Sequence, residues 1–151
     1  MPTTRTAWVA LANAHRGKLL RCECSGSGHP HVQIVETIHY AWEGHEHHRP
    51  SPLTGRGGHD YAGAGHEREE DERRFARQFA EWLDDQLTEH QVQEVNLLIA
   101  PASFLGAFRK VCPSALAHRL AAVEVGDLTN CERSALQAHP RIRPLLPPET
   151  P

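Results

Sequence analysis

Two short apolar runs, Ala7–Ala12 (AWVALA) and Lys18–Cys22 (KLLRC), flank Asn13-Ala14-His15-Arg16-Gly17. Short runs separated by Asn and Gly predict a hairpin. Val32–Tyr40 (VQIVETIHY) is rich in β-branched residues and predicts a third strand, entered through a Gly/Ser turn at Ser25–Pro30. From 41 to 66 the apolar periodicity stops. This stretch carries Gly44, Gly55, Gly57, Gly58, Gly63, Gly65, Pro50 and Pro52. It predicts a long loop of the kind that is functional or disordered.

The next element is a helix from Glu67 to His90. Phe75, Phe79, Trp82, Leu83 and Leu87 fall on one face of it. Glu67, Glu69, Glu70, Asp71 and Glu72 crowd its first turns, where negative charge meets the positive end of the helix dipole. Glu94–Ala100 (EVNLLIA) reads as a buried, parallel strand that stops at Pro101. Ser103 is placed to cap a short helix running through Cys112, and Pro113 opens another through His118. Leu120–Val125 (LAAVEV) predicts the last strand. Thr129-Asn130-Cys131-Glu132 has capping-box spacing and predicts a helix to His139. Five of the eleven prolines follow, between Pro140 and Pro151, and predict an extended, poorly ordered tail. Strands first, then strand and helix in alternation, predict one α/β domain over 1–139. Its sheet is expected to be mixed, mostly five-stranded and flanked by helices.

A chain of 151 residues has room for one such domain and buries roughly 70% of its unfolded surface. Hydrophobic residues are 39% and aromatics 6% of it, so the core is mainly aliphatic. No apolar stretch is long enough for a membrane span. The N-terminus lacks a signal-peptide layout, so a cytoplasmic location is expected. Four cysteines in such a chain (Cys22, Cys24, Cys112, Cys131) read as reduced thiols. Net charge is −3, which is not the balance of a dedicated nucleic-acid binder. Residues 67 to 89 alone hold nine acids and four arginines. Docking on RNA requires Lys or Arg at each phosphate, so direct nucleic-acid binding is not expected along this helix.

Histidine is the outlier in the composition. There are twelve, and eight lie between His29 and His66. His45, His47 and His48 sit among Glu43 and Glu46, with His59, Asp60 and His66 further on. Imidazole clusters suit zinc or another divalent transition metal, which makes a metal-binding protein one alternative. Against it, no His-Glu-x-x-His motif lies on a helix, and Cys22-x-Cys24 has no second pair at suitable spacing. A solvated loop with no cofactor is the simpler expectation. Other polar candidates read structurally. Ser103 and Ser114 are helix caps, Cys112 and Cys131 are inert thiols, and Glu69 and Glu72 are solvated surface. Asp127 is a turn and cap, and Phe104 and Leu105 are core.

Gly55-Arg56-Gly57-Gly58-His59, then a long helix, then Leu97-Leu98-Ile99-Ala100-Pro101, carries a family resemblance. The order of parts resembles the middle domain of archaeal and eukaryotic class-1 peptide-release factors, where a Gly-Gly-Gln loop precedes the helix. Within that superfamily the chain is similar to bacterial host attachment proteins, described as required for attachment to host cells. Trp8-Val9, Ala12-Asn13, Phe75-Ala76, Phe104-Leu105-Gly106, Arg109 and Asp127-Leu128-Thr129 also match, so the likeness spans about residues 7 to 139. It implies a binding loop of Gly55, Arg56, Gly57, Gly58 and His59, with His59 as the candidate catalytic residue. In the release factors the third position is glutamine, which helps position the hydrolytic water. His59 here departs from that amide chemistry. The resemblance therefore implies a stand-alone binding module with a protein or ribosomal partner and no peptidyl-tRNA hydrolysis. A hydrolase using His59 as water-positioning group or base is the alternative. An open hairpin edge would also allow pairing between copies, making a homo-oligomer a further expected partner arrangement.

Overall fold

The computed structural model describes residues 6–24, 29–40 and 58–146. The elements run β1 (Ala7–Ala12), β2 (Arg16–Cys24), β3 (Pro30–His39), α1 (Gly58–Glu89), β4 (Leu97–Ala100), α2 (Ala102–Val111), α3 (Ser114–Ala117), β5 (Val123–Val125) and α4 (Arg133–Ala138). A short 3-10 helix, Arg143–Leu145, follows. The strands form one mixed sheet in the order β3-β2-β1-β4-β5. β1 pairs antiparallel with β2, and β2 antiparallel with β3. β1, β4 and β5 are mutually parallel. This is the mixed five-stranded α/β architecture that the pattern predicts.

Alternation along β1 divides the core in two. Ala10 and Ala12 join Leu19, Leu98 and Ala100 on one face, packed by α1, α2 and α3. Val9 and Leu11 join Leu20, Cys22, Val32, Leu97 and Ile99 on the other, packed by Leu136 of α4 and by Ile142. The first face carries the aromatic centre. Phe75 and Phe79 of α1 and Phe104 of α2 are fully buried, and Phe108 nearly so. Their rings meet at 5.9 Å (Phe75–Phe104), 5.7 Å (Phe79–Phe104) and 5.8 Å (Phe79–Phe108). Each buried Phe contributes about 1.5–3 kcal/mol by transfer from water, and each such ring pair about 0.5–1.5 kcal/mol more. This cluster binds α1 to α2.

Four local expectations are corrected. The 41–66 loop ends earlier, because α1 begins at Gly58 and takes in Gly58, His59, Gly63, Gly65 and His66. Glycine weakens a helix by about 1 kcal/mol each but does not forbid it, and no proline lies between Pro52 and Pro101 to stop one. The tail expected over 140–151 is packed in its first half. Ile142 is fully buried and Arg141 pairs with Glu124 at 3.3 Å. Residues 147–151 lie outside the described residues. Ser103 does not cap α2, since Pro101 holds the N-cap and the Ser103 hydroxyl donates to Glu72 Oε2 at 3.2 Å. Thr129 caps nothing either. α4 starts after Glu132, and the Thr129 hydroxyl is committed elsewhere.

α1 ends in a Schellman turn. Val92 N–H donates to Leu87 O at 2.8 Å and Gln91 N–H to Thr88 O at 3.2 Å. The C′ residue of that turn is left-handed, and here it is Gln91 at φ 56° rather than glycine. Gln91→Gly is expected to raise stability by about 0.5–1 kcal/mol in denaturant melts, net of glycine's greater chain entropy. A second check concerns Gly17 of β2. A Cβ there would stand 2.6 Å from the Phe79 ring and 3.1 Å from Ile38. Gly17→Ala is expected to lose about 1–3 kcal/mol by overpacking. In a double-mutant cycle with Phe79→Leu, the combined loss should fall short of the sum of the two single losses.

Candidate functional site

In open α/β sheets ligands bind outside the carboxyl ends of the parallel strands. β1 ends at Ala12, β4 at Ala100 and β5 at Val125, so Asn13, Pro101 and Gly126–Thr129 follow at one edge. β3 runs antiparallel to β2 and so ends at His39 on the same edge. Tyr40 N–H donates to His15 O at 2.9 Å and fixes that exit. α1 is oriented from this edge downward. Its Phe75 ring meets Tyr40 at 5.2 Å, whereas His90, just past its C-terminus, meets Trp8 at the start of β1 at 5.9 Å. N-terminal to Phe75 the helix continues for about 25 Å to Gly58.

A polar link, buried at Asn13 and Thr129 and exposed at Asp127, closes the edge. Asn13 Oδ1 accepts from His15 N–H at 2.8 Å and Arg16 N–H at 2.9 Å, which shapes the β1–β2 turn. Its amide Nδ2 donates to Thr129 Oγ1 at 2.8 Å and Asp127 Oδ2 at 3.1 Å. The Thr129 hydroxyl in turn donates to Asp127 Oδ1 at 2.8 Å, and Thr129 N–H to the same oxygen at 3.1 Å. Thr129 is fully buried and Asn13 nearly so. Burial pushes the Asp127 carboxyl up. The bonds from the Thr129 hydroxyl, the Asn13 amide and the Thr129 N–H, with the nearby charge of Arg16, outweigh it and hold the group below its ordinary value. The link is a fixed anion with a donor-lined neighbourhood. Thr129, with no exposed surface and its hydroxyl bonded on both sides, is not a nucleophile. Its chemistry is positional: it ties the turn after β1 to the segment after β5.

The candidate residues named from the sequence are distributed unevenly. Gly55, Arg56 and Gly57 lie outside the described residues, as do His45, His47 and His48. Gly58 is the first residue of α1 and His59 the second. His59 and His66 are seven positions apart on that helix, about 10 Å of axial rise, which is not the i,i+4 spacing of a helical ligand pair. Among the described residues no three His, Cys, Asp or Glu side chains are grouped to share a metal ion. Cys22 lies in the second core cluster, where burial pushes its thiol up to about 12. Burial, with Asp84 adding to it, also raises Cys112. Both thiols stay protonated, and so unreactive, at neutral pH. No helix among the described residues is long and apolar enough to cross a membrane. Sequence reasoning missed the Asn13–Asp127–Thr129 link. Asn13 read as a turn residue and Thr129 as a helix cap. The available signal was Asp-x-Thr directly after a strand, a spacing that favours a local side-chain-to-backbone turn.

The model of one protein family matches residues 8–139. Its description is "Protein required for attachment to host cells". No curated protein matches the chain.

The Asp127 geometry sets a pH dependence. Its carboxyl is held below its unfolded value, so the stabilisation is fully present above that unfolded value, about 3.9 for Asp. It is lost as pH falls through the folded value. Asp127→Asn is expected to flatten the acid limb of a stability-versus-pH curve below about pH 4 and leave the slope above pH 5 unchanged, as read by denaturant melts. An unchanged acid limb would show that the link is not formed in solution.

Proposed function

The chain belongs to the family of proteins required for attachment to host cells, and from that premise we propose a binding module of the release-factor-middle-domain type. Its working surface is the carboxyl edge of the sheet. There the chain leaves at Tyr40, α1 returns to it at Phe75 from a start at Gly58, and the segment between Tyr40 and Gly58 holds Gly55, Arg56 and Gly57. The observation that carries this reading is the Asn13–Asp127–Thr129 link. It spends these polar groups on holding the ends of β1 and β5 together, which makes a rigid base for that segment. Thr129 has no solvent contact and Asp127 is already satisfied by three donors, which suits holding a partner better than cleaving one.

Charge narrows the partner. α1 is acidic from Glu67 to Glu89, with nine acids against four arginines, and several of the acids are exposed. Such a helix repels a phosphate backbone, so the contact is with protein, including ribosomal protein, rather than with bare RNA. His59 in place of glutamine supports binding without peptidyl-tRNA hydrolysis. Cytoplasmic residence belongs to the same proposal.

Purified protein is expected to co-sediment saturably with ribosomes. Neither wild type nor His59→Ala should release labelled peptide from stalled ribosomes above the buffer rate. Release by wild type that His59→Ala abolishes would replace this reading with a hydrolase. Sedimentation that never saturates would remove the ribosomal partner.

A further inference from the structure

A sheet with two ends has two rows of backbone groups to manage. At the β3 end the row is guarded. Val32 N–H donates to the Gln137 side-chain oxygen at 2.8 Å, and the β2–β3 pairing carries an irregularity at Leu19/Leu20 that breaks the even register a new strand would need. The β5 end differs. Leu98 N–H donates to Ala122 O and Gly126 N–H to Ala100 O, so Ala122, Glu124 and Gly126 carry the bonds to β4. By alternation Val123 and Val125 turn their N–H and C=O outward. Their side chains are also exposed, 39% and 68%, and the only other exposed large apolar residue among the described ones is Ile34.

Beside this edge lies a cavity of about 190 Å³. Its walls include Leu98, Leu105, Phe108, Leu120 and Val123. It is thus lined on the sheet side by one β5 valine, while the other stands proud of the surface. A knob and a hole on one strand, two residues apart, are self-complementary under a two-fold rotation.

We propose that β5 is a dimer edge. Two copies pair their β5 strands antiparallel about an axis through Glu124, giving a continuous ten-stranded sheet. The axis stands perpendicular to the sheet, so each face continues across the join. Val123 then lies opposite the second copy's Val125, and the reverse. The outward groups of these residues form two hydrogen-bonded pairs, four backbone bonds in all. Each Val125 comes to rest beside the other copy's Val123, at the mouth of the cavity. Glu124 points to the opposite face and meets its counterpart. Each Glu124 already holds its own Arg141 at 3.3 Å, so the axis carries two acids and two bases instead of a bare like-charged pair.

Light scattering across the micromolar range tests this with the full chain. The expected mass is about 34 kDa, twice that of the 16.9 kDa chain. Val125→Pro removes one outward donor without touching a bond to β4, and Val125→Lys places a charge at the cavity mouth. Both are expected to weaken the dimer at least tenfold while circular dichroism melts stay cooperative. Register is tested by mixing Val123→Cys with Val125→Cys protein. Hydrogen-bonded antiparallel partners have Cα atoms about 5.5 Å apart, within reach of a disulfide, whereas Val125 and its own counterpart are not opposite. The mixture should cross-link on oxidation at the 123–125 pair, identified by peptide mapping, and Val125→Cys alone should not link at that position. A monomeric wild type overturns the proposal. So does a dimer that survives both Val125 substitutions, or a mixture that fails to form the 123–125 link.

Discussion

The contact on which the structure turns is the ring of Phe79 lying over Gly17. At that point α1 approaches the β1–β2 hairpin closely enough that a methyl group on β2 has no room. Phe79 then reaches Phe104 and Phe108 at 5.7 and 5.8 Å, so one side chain anchors α1 simultaneously to the sheet and to α2. With only four phenylalanines in 151 residues, all four are spent in this layer. Close packing makes the arrangement all-or-none, since a buried ring at the density of protein interiors has no second comfortable position. The height of α1 above the sheet, and with it the point where the helix crosses the carboxyl edge near Tyr40, follows from this contact.

The other face is built more thinly. α4 and the turn around Ile142 cover Val9, Leu11, Leu20 and Val32 with Leu136 and Ile142 as the only fully buried anchors they contribute. A composition of scattered prolines gives no hint of this, which is why residues 140–146 read as tail. Prolines set backbone angles, but whether a segment packs depends on one well-placed apolar side chain, and Ile142 supplies it.

The elements themselves were largely legible. The 3.6-residue spacing of Phe75, Phe79, Leu83 and Leu87 forecast the buried face of α1, and the apolar run ending in LLIA forecast a buried, parallel strand. These signals are strong because each is a repeated local choice. The start of α1 was not legible, because Gly58, Gly63 and Gly65 oppose helix one residue at a time and the outcome rests on their neighbours. The polar link at the edge was still less so. Asn13 and Thr129 each have a sufficient local explanation as turn and cap residues, and nothing within ten positions of either points to the other.

The distance between those partners along the chain has a consequence for how the protein is made. Asn13 bonds to residues 114 and 116 positions later. Contacts of that separation close last, because the entropy of the intervening loop must be overcome before they return any energy. During synthesis the hairpin and β3 emerge long before β4, which must slot in beside β1, and before the segment after β5. The edge closed by this link is therefore absent from every shorter intermediate. It comes into being only once residues 127–129 have emerged and folded back against Asn13.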